Sequence, residues 1–186
     1  MSKVSKIAII TYGVAAACAV GGAVQLHKQN KLAEERLNNI EARVESYMEN
    51  RPHAEFINIK TQAHGYGNSG VYMQSSLDSL AYREIFTSSQ VAADSAAVNE
   101  FNKLAASIRR ASKTPSYRLS SDLYNKLSKM VTHKQFKQIE KEASGDILTL
   151  QFKADSVAYR RFFEKHGLLN DSTLKKFTAI AKKIRP

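Results

Sequence analysis

The chain has 186 residues with no Trp, 3 Pro, 8 Gly and 43% apolar side chains, which suits one modest globular domain plus an appendage and excludes a collagen-like, low-complexity or wholly disordered chain. A single Cys excludes an intramolecular disulfide framework and a multi-cysteine metal centre. The +11 net charge is uneven: residues 1–101 hold 9 Lys+Arg against 10 Asp+Glu, and residues 102–186 hold 19 against 7, so the second part carries the whole positive field and suits anionic lipid, nucleic acid or an acidic protein face.

After a basic tail (1–6), residues 7–26 run twenty positions without a charge, IAIITYGVAAACAVGGAVQL. A helix rising ~1.5 Å per residue takes such a run across the ~30 Å hydrocarbon core of a bilayer. Lys3 and Lys6 anchor one end, His27 and Lys28 the other. A cleaved signal peptide is the competing reading, with Gly21, Gly22 and Ala23 as small residues near a cut site. The stretch Ala15–Cys18 also resembles a bacterial lipobox, although the Leu or Val expected three positions before Cys18 is missing. Lys28, Lys31, Arg36 and Arg43 outnumber the cations of the tail, whereas the short tail itself resists translocation. The expectation is a single-pass protein of a bacterial inner membrane or an organelle membrane, leaning to N-terminus in and the bulk exported.

Residues 27–51 read as a coiled-coil-like stalk. Asn30, Ala33, Leu37, Ile40, Val44 and Tyr47 alternate at spacings of three and four, a seam that pairs two copies of the chain. The alternative is an amphipathic helix packing on its own domain. Pro52 is the expected stop.

Residues 52–76 suggest a β element: Phe56–Ile59 and Val71–Met73 as short strands, joined by the glycine-rich loop His64–Gly70. That loop lacks the Lys-Ser/Thr of a phosphate-binding loop.

The remainder, 77–186, reads as a basic helical domain with an internal echo between 78–109 and 155–185. Asp78-Ser79-Leu80-Ala81-Tyr82-Arg83 matches Asp155-Ser156-Val157-Ala158-Tyr159-Arg160. Asp94 and Asp171 follow as N-caps, then Phe101, Ala105 and Ile108 match Phe177, Ala181 and Ile184. A strand-like run precedes each copy, at Val71–Gln74 and Ile147–Gln151. Thr132 and Gln135 fit a capping box, and Gly167 a helix C-cap. The repeated Tyr-Arg pairs read as rim tyrosines beside solvated arginines. The fold expectation is therefore mainly α with a minor β part.

No catalytic, cofactor or metal constellation stands out. His27, His53, His64, His133 and His166 have no metal-ligand spacing, and the Ser residues lack a nucleophile elbow. The carboxylates read as caps or helix-surface partners. Lys134, Lys137 and Lys141 line one helical face, and Lys175, Lys176, Lys182 and Lys183 extend the cationic surface. The functional expectation is a membrane-anchored, non-catalytic interaction protein: an adaptor, assembly factor or accessory subunit whose partners are the bilayer, a protein or second copy, and an anionic surface. A membrane-tethered nucleic-acid binder is the first alternative, since 121–142 has the size of a helix-turn-helix. An exported enzyme is the second, and it calls for two carboxylates facing each other across a cleft.

Overall fold

The structure is a computed structural model and describes residues 25, 27–49, 53–65 and 68–186. The proposed membrane run and the basic tail lie outside the described residues but for Gln25, which is helical and exposed. Among the described residues, no helix is long and apolar enough to cross a membrane. The chain divides into a unit Met1–Asn39 and a compact unit Ile40–Pro186. In the first, the helical residues up to 39 are mostly exposed, Asn30 and Ala33 among them, and Lys31 and Glu35 pair at 4.0 Å.

The expected strands are corrected: among the described residues all regular structure is helical. Residues 27–47 form α1, followed by α2 (His53–His64), α3 (Ser69–Thr87), α4 (Ser95–Arg109), α5 (Ser116–Ser128), α6 (His133–Ala143), α7 (Ile147–Lys165) and α8 (Asp171–Ile184). Short 3₁₀ turns at Gln90–Ala93 and Arg110–Lys113 flank α4. Phe56–Ile59 belongs to α2, Val71–Gln74 to α3 and Ile147–Gln151 to α7. The segment read as a hairpin loop joins two helices instead. The reason is burial. Val71 through Ser79 are all buried, nine in succession, so the first half of α3 is covered on every side and shows no exposed face to reveal a helical period. A short apolar run of that kind does not separate strand from helix by pattern alone.

Helices α3 and α7 form the spine of the compact unit. Gly70 lies against the Leu148 side chain, Tyr82 against Tyr159 at 4.8 Å between ring centres, and Phe86 against Phe162 at 5.6 Å. The contacts follow the same order along both helices, so the two run parallel. Parallel neighbours require a long return connection, and α4–α6 supply it.

Around the spine the echo becomes three-dimensional. Phe101 of α4 stacks on Phe86 at 4.8 Å and meets Tyr159 at 5.4 Å. Its counterpart Phe177 of α8 meets Phe163 at 6.0 Å and Tyr82 at 4.7 Å. Each copy's last helix therefore touches its own first helix and the tyrosine of the other copy. Such ring pairs add about 0.5–1.5 kcal/mol each beyond the area they bury. Both tyrosines are fully buried, which corrects the rim reading, while Arg83 and Arg160 are exposed as expected.

A second apolar cluster fills the other end. Leu119, Leu123 and Leu127 of α5 recur every fourth residue and pack with Ile139 and Ala143 of α6 and Leu148, Leu150 and Ala154 of α7. Helix α1 and the turn after it contribute as well: Ile40, Val44 and Met48 are buried at i, i+4 and i+8. Glu41 pairs with Lys60 of α2, Tyr47 with Glu84 of α3, and Arg43 donates to the Ile184 carbonyl of α8. From Ile40 onward the heptad seam is thus used inside the chain's own domain.

The helix ends follow capping chemistry. Asp94 accepts from Ala96 N at 2.8 Å, and Thr132 and Gln135 complete their reciprocal box. For α8 the cap is Asn170, which accepts from Thr173 N at 2.9 Å. Asp171, expected as that cap, sits one position later in the first turn, where its charge still suits the helix N-terminus. At the end of α7, Leu168 N donates to Phe163 O at 2.8 Å and Gly167 N to Glu164 O at 3.1 Å. With Gly167 at φ 65° this is a Schellman stop, placing the glycine just past the cap residue His166.

Candidate functional site

Polar groups gather where α3 and α7 cross. Gln74 Nε2 donates to Asp78 Oδ1 at 2.7 Å, one helical turn apart, and Gln151 Nε2 donates to Asp155 Oδ1 at the same distance. All four side chains are 0% exposed. The Asp78 and Asp155 carboxyls also contact each other, and the remaining oxygen of each meets no donor among the described residues. Two adjacent buried carboxylates do not both ionise cheaply, so one proton between them would give both oxygens a hydrogen bond; the Gln74 and Gln151 Oε1 atoms likewise meet no partner among the described residues.

The electrostatics agree. Burial pushes the Asp78 carboxyl well above the usual carboxylate range, and the Asp155 charge pushes it further. Burial likewise raises Asp155, to about 7. Arg43 of α1 and Lys126 of α5 favour the ionised forms, as do the Gln donors, without offsetting burial. On the flank of the pair, Tyr159 donates to Ser79 Oγ at 2.8 Å and Tyr82 shares a hydrogen bond with Ser156 Oγ at 2.9 Å. Burial raises both phenols, so both stay neutral. Asp78 and Asp155 are therefore neither caps nor surface partners, and with zero exposure they face no cleft.

The groups open to solvent lie elsewhere. A groove of about 1030 Å³ lies along α6 and α7 and reaches Phe177 of α8. Met130, Val131, Ile139 and Val157 give it an apolar floor, and Lys129, Lys134, Lys153, Arg160 and Arg161 a cationic wall. The two acidic residues in the lining are already engaged, Glu142 by Lys153 and Glu164 by Arg160 at 3.1 Å. The Lys153 hydrogen bond, the largest influence there, holds the Glu142 carboxyl below its ordinary value.

Of the cationic residues expected from sequence, Lys134 lines this groove. Lys137 pairs with Glu140 at 2.8 Å and Lys141 is exposed on the same helix. Lys175, Lys176, Lys182 and Lys183 are exposed on α8, with Lys183 Nζ 5.0 Å from the centre of the Tyr47 ring. Sequence reading missed Lys129, Lys153, Arg160 and Arg161, because the groove is made by two helices and no single-helix period reports it. It also missed Gln74 and Gln151, although both stand four residues before the repeated Asp. Among the described residues, His, Cys, Asp and Glu side chains form no cluster able to hold a metal.

No family model, curated protein or solved structure matches this chain.

Proposed function

We propose that the chain is a membrane-anchored, non-catalytic interaction protein, an adaptor, assembly factor or accessory subunit, whose residues 40–186 present a cationic surface to an acidic partner. The observation that carries this reading is the groove, where cations outnumber carboxylates and every lining carboxylate already has a cation of its own. The uncharged run 7–26 supports the anchor. The convergent carboxylates support a structural role, since no solvent reaches them.

The test is to recover the full chain from native membranes in a non-ionic detergent and elute its associated components with rising salt. Carbonate-resistant membrane residence together with a salt-sensitive protein complex is the expected result. A chain released from membranes by carbonate, or one carrying no protein at any salt concentration, would sink the proposal. Co-elution of nucleic acid with a steep salt dependence would favour the nucleic-acid alternative.

A further inference from the structure

The groove along α6 and α7 has a shape and a charge pattern that narrow the partner further. Its lining runs from Lys129 to Glu142 on one side and from Lys153 to Glu164 on the other. Helix α6 alone, at ~1.5 Å per residue, makes the trough about 16 Å long, three turns of a docked helix. Exposed Lys129, Lys134 and Arg161 have no acidic partner among the described residues. Val131, Ile139 and Val157 line the same groove.

We propose that this groove takes an acidic amphipathic helix of a partner protein. Its apolar side chains, at i, i+3/i+4 and i+7, seat on Val131, Ile139 and Val157, and its flanking carboxylates pair with Lys129, Lys134 and Arg161. Charge complementarity selects an acidic ligand, and the apolar floor selects a helix with an oily stripe. A flat bilayer does not enter a trough between two helices. A nucleic-acid backbone satisfies the cations but leaves the apolar floor uncovered. The inference rests on reading the chain as an interaction protein and adds the chemistry of the occupant.

The experiment uses the full chain in non-ionic detergent and a labelled helical peptide of about five turns carrying a Leu stripe flanked by Glu. Fluorescence anisotropy compares it with a peptide bearing Lys in place of Glu and with one bearing Ser in place of Leu. The acidic, Leu-striped peptide is expected to bind at least about tenfold more tightly than either control. The exposed reversals Lys134→Glu with Arg161→Glu should weaken it about tenfold or more, while Lys175→Glu with Lys176→Glu on α8 leave it within about twofold. Equal binding of the three peptides overturns the proposal, as does insensitivity to the groove reversals. Displacement by phosphatidylglycerol vesicles or by single-stranded RNA at equal charge, with the same dependence on Lys134 and Arg161, overturns it too and reassigns the groove. If the peptide fails while the native chain still elutes with a salt-sensitive protein complex, only this inference falls.

Discussion

The Tyr159 hydroxyl donates to Ser79 Oγ at 2.8 Å across the α3–α7 interface, and Ser79 Oγ in turn donates to the Ser75 carbonyl at 2.7 Å. The mirrored bond joins Tyr82 to Ser156. The repeated Asp-Ser-x-x-Tyr is thus a reciprocal clamp, each copy's tyrosine held by the serine of the other.

Tyr159→Phe keeps the ring and removes one buried hydroxyl whose acceptor, Ser79, retains its own bond to Ser75. The expected loss is about 1 kcal/mol. Tyr82→Phe should cost a similar amount because the environment is repeated. Phe101→Ala, which opens a cavity against Phe86, Phe162 and Tyr159, should cost about 3–5 kcal/mol. Denaturant unfolding of the full chain in detergent, followed by circular dichroism, measures all three. A loss for Phe101→Ala no larger than that for Tyr159→Phe would contradict the aromatic core.

The acid pair predicts stability that falls with rising pH. Asp78 and Asp155 both have folded pKa values raised by burial, Asp155 to about 7. Between the ordinary carboxylate value and about 7 the folded chain therefore binds more protons than the unfolded chain. Their contribution is fully present below the unfolded value and is lost as pH rises through the folded one. The melting temperature should drop by several degrees between about pH 5 and about pH 8. Asp155→Asn, which imitates the protonated acid, should flatten that slope and leave the variant the more stable at the alkaline end. A melting temperature that climbs steadily over this interval would refute the shared proton.

Gly167→Ala should destabilise by about 1 kcal/mol, since φ 65° is costly for a residue with a Cβ. Space is not the obstacle, because a Cβ there meets nothing within 4 Å. The cost is conformational and should be equal for Gly167→Ser. Urea midpoints of the two variants check this, and a neutral Gly167→Ala would contradict the left-handed stop.

Val44→Ala should lower the stability of the compact unit by about 1–3 kcal/mol, because Val44 is fully buried in it. Ala33→Ser, at an exposed position of the other unit, should leave it within about 0.5 kcal/mol. The comparison reads directly on where the stalk ends. Equal, negligible effects would restore an independent stalk reaching residue 51.

Much of the helical part was legible. The capping box at Thr132, the cap at Asp94 and the apolar spacing of Phe101, Ala105 and Ile108 on α4 are local features, and local hydrogen bonding or periodicity reports them. The echo was legible too, because Phe101 and Phe177 each recur behind the same Asp-Ser-x-x-Tyr. The strands were misread for a physical reason: Val71–Gln74 and Ile147–Gln151 lie in the largely buried opening turns of their helices, where β-branched and apolar residues fit and period is lost. Asp171 was misplaced by one residue because Asn170, its neighbour, caps equally well. The groove was invisible for a different reason, since Lys129, Lys134 and Arg161 stand on α6, its flank and α7, and only packing brings them to one trough.

Sequence alone determined the charge asymmetry, the uncharged run at the N-terminus and the duplication, because each is a property of residue order. Tertiary structure decided which of those residues meet. The echo became a reciprocal clamp only because α3 and α7 pack in parallel, and Asp78 became a buried neighbour of Asp155, with both carboxyls raised, only because that packing excludes water from both. Burial is a property of the assembled chain: the same Asp-Ser-x-x-Tyr on a solvated helix would be an ordinary polar surface.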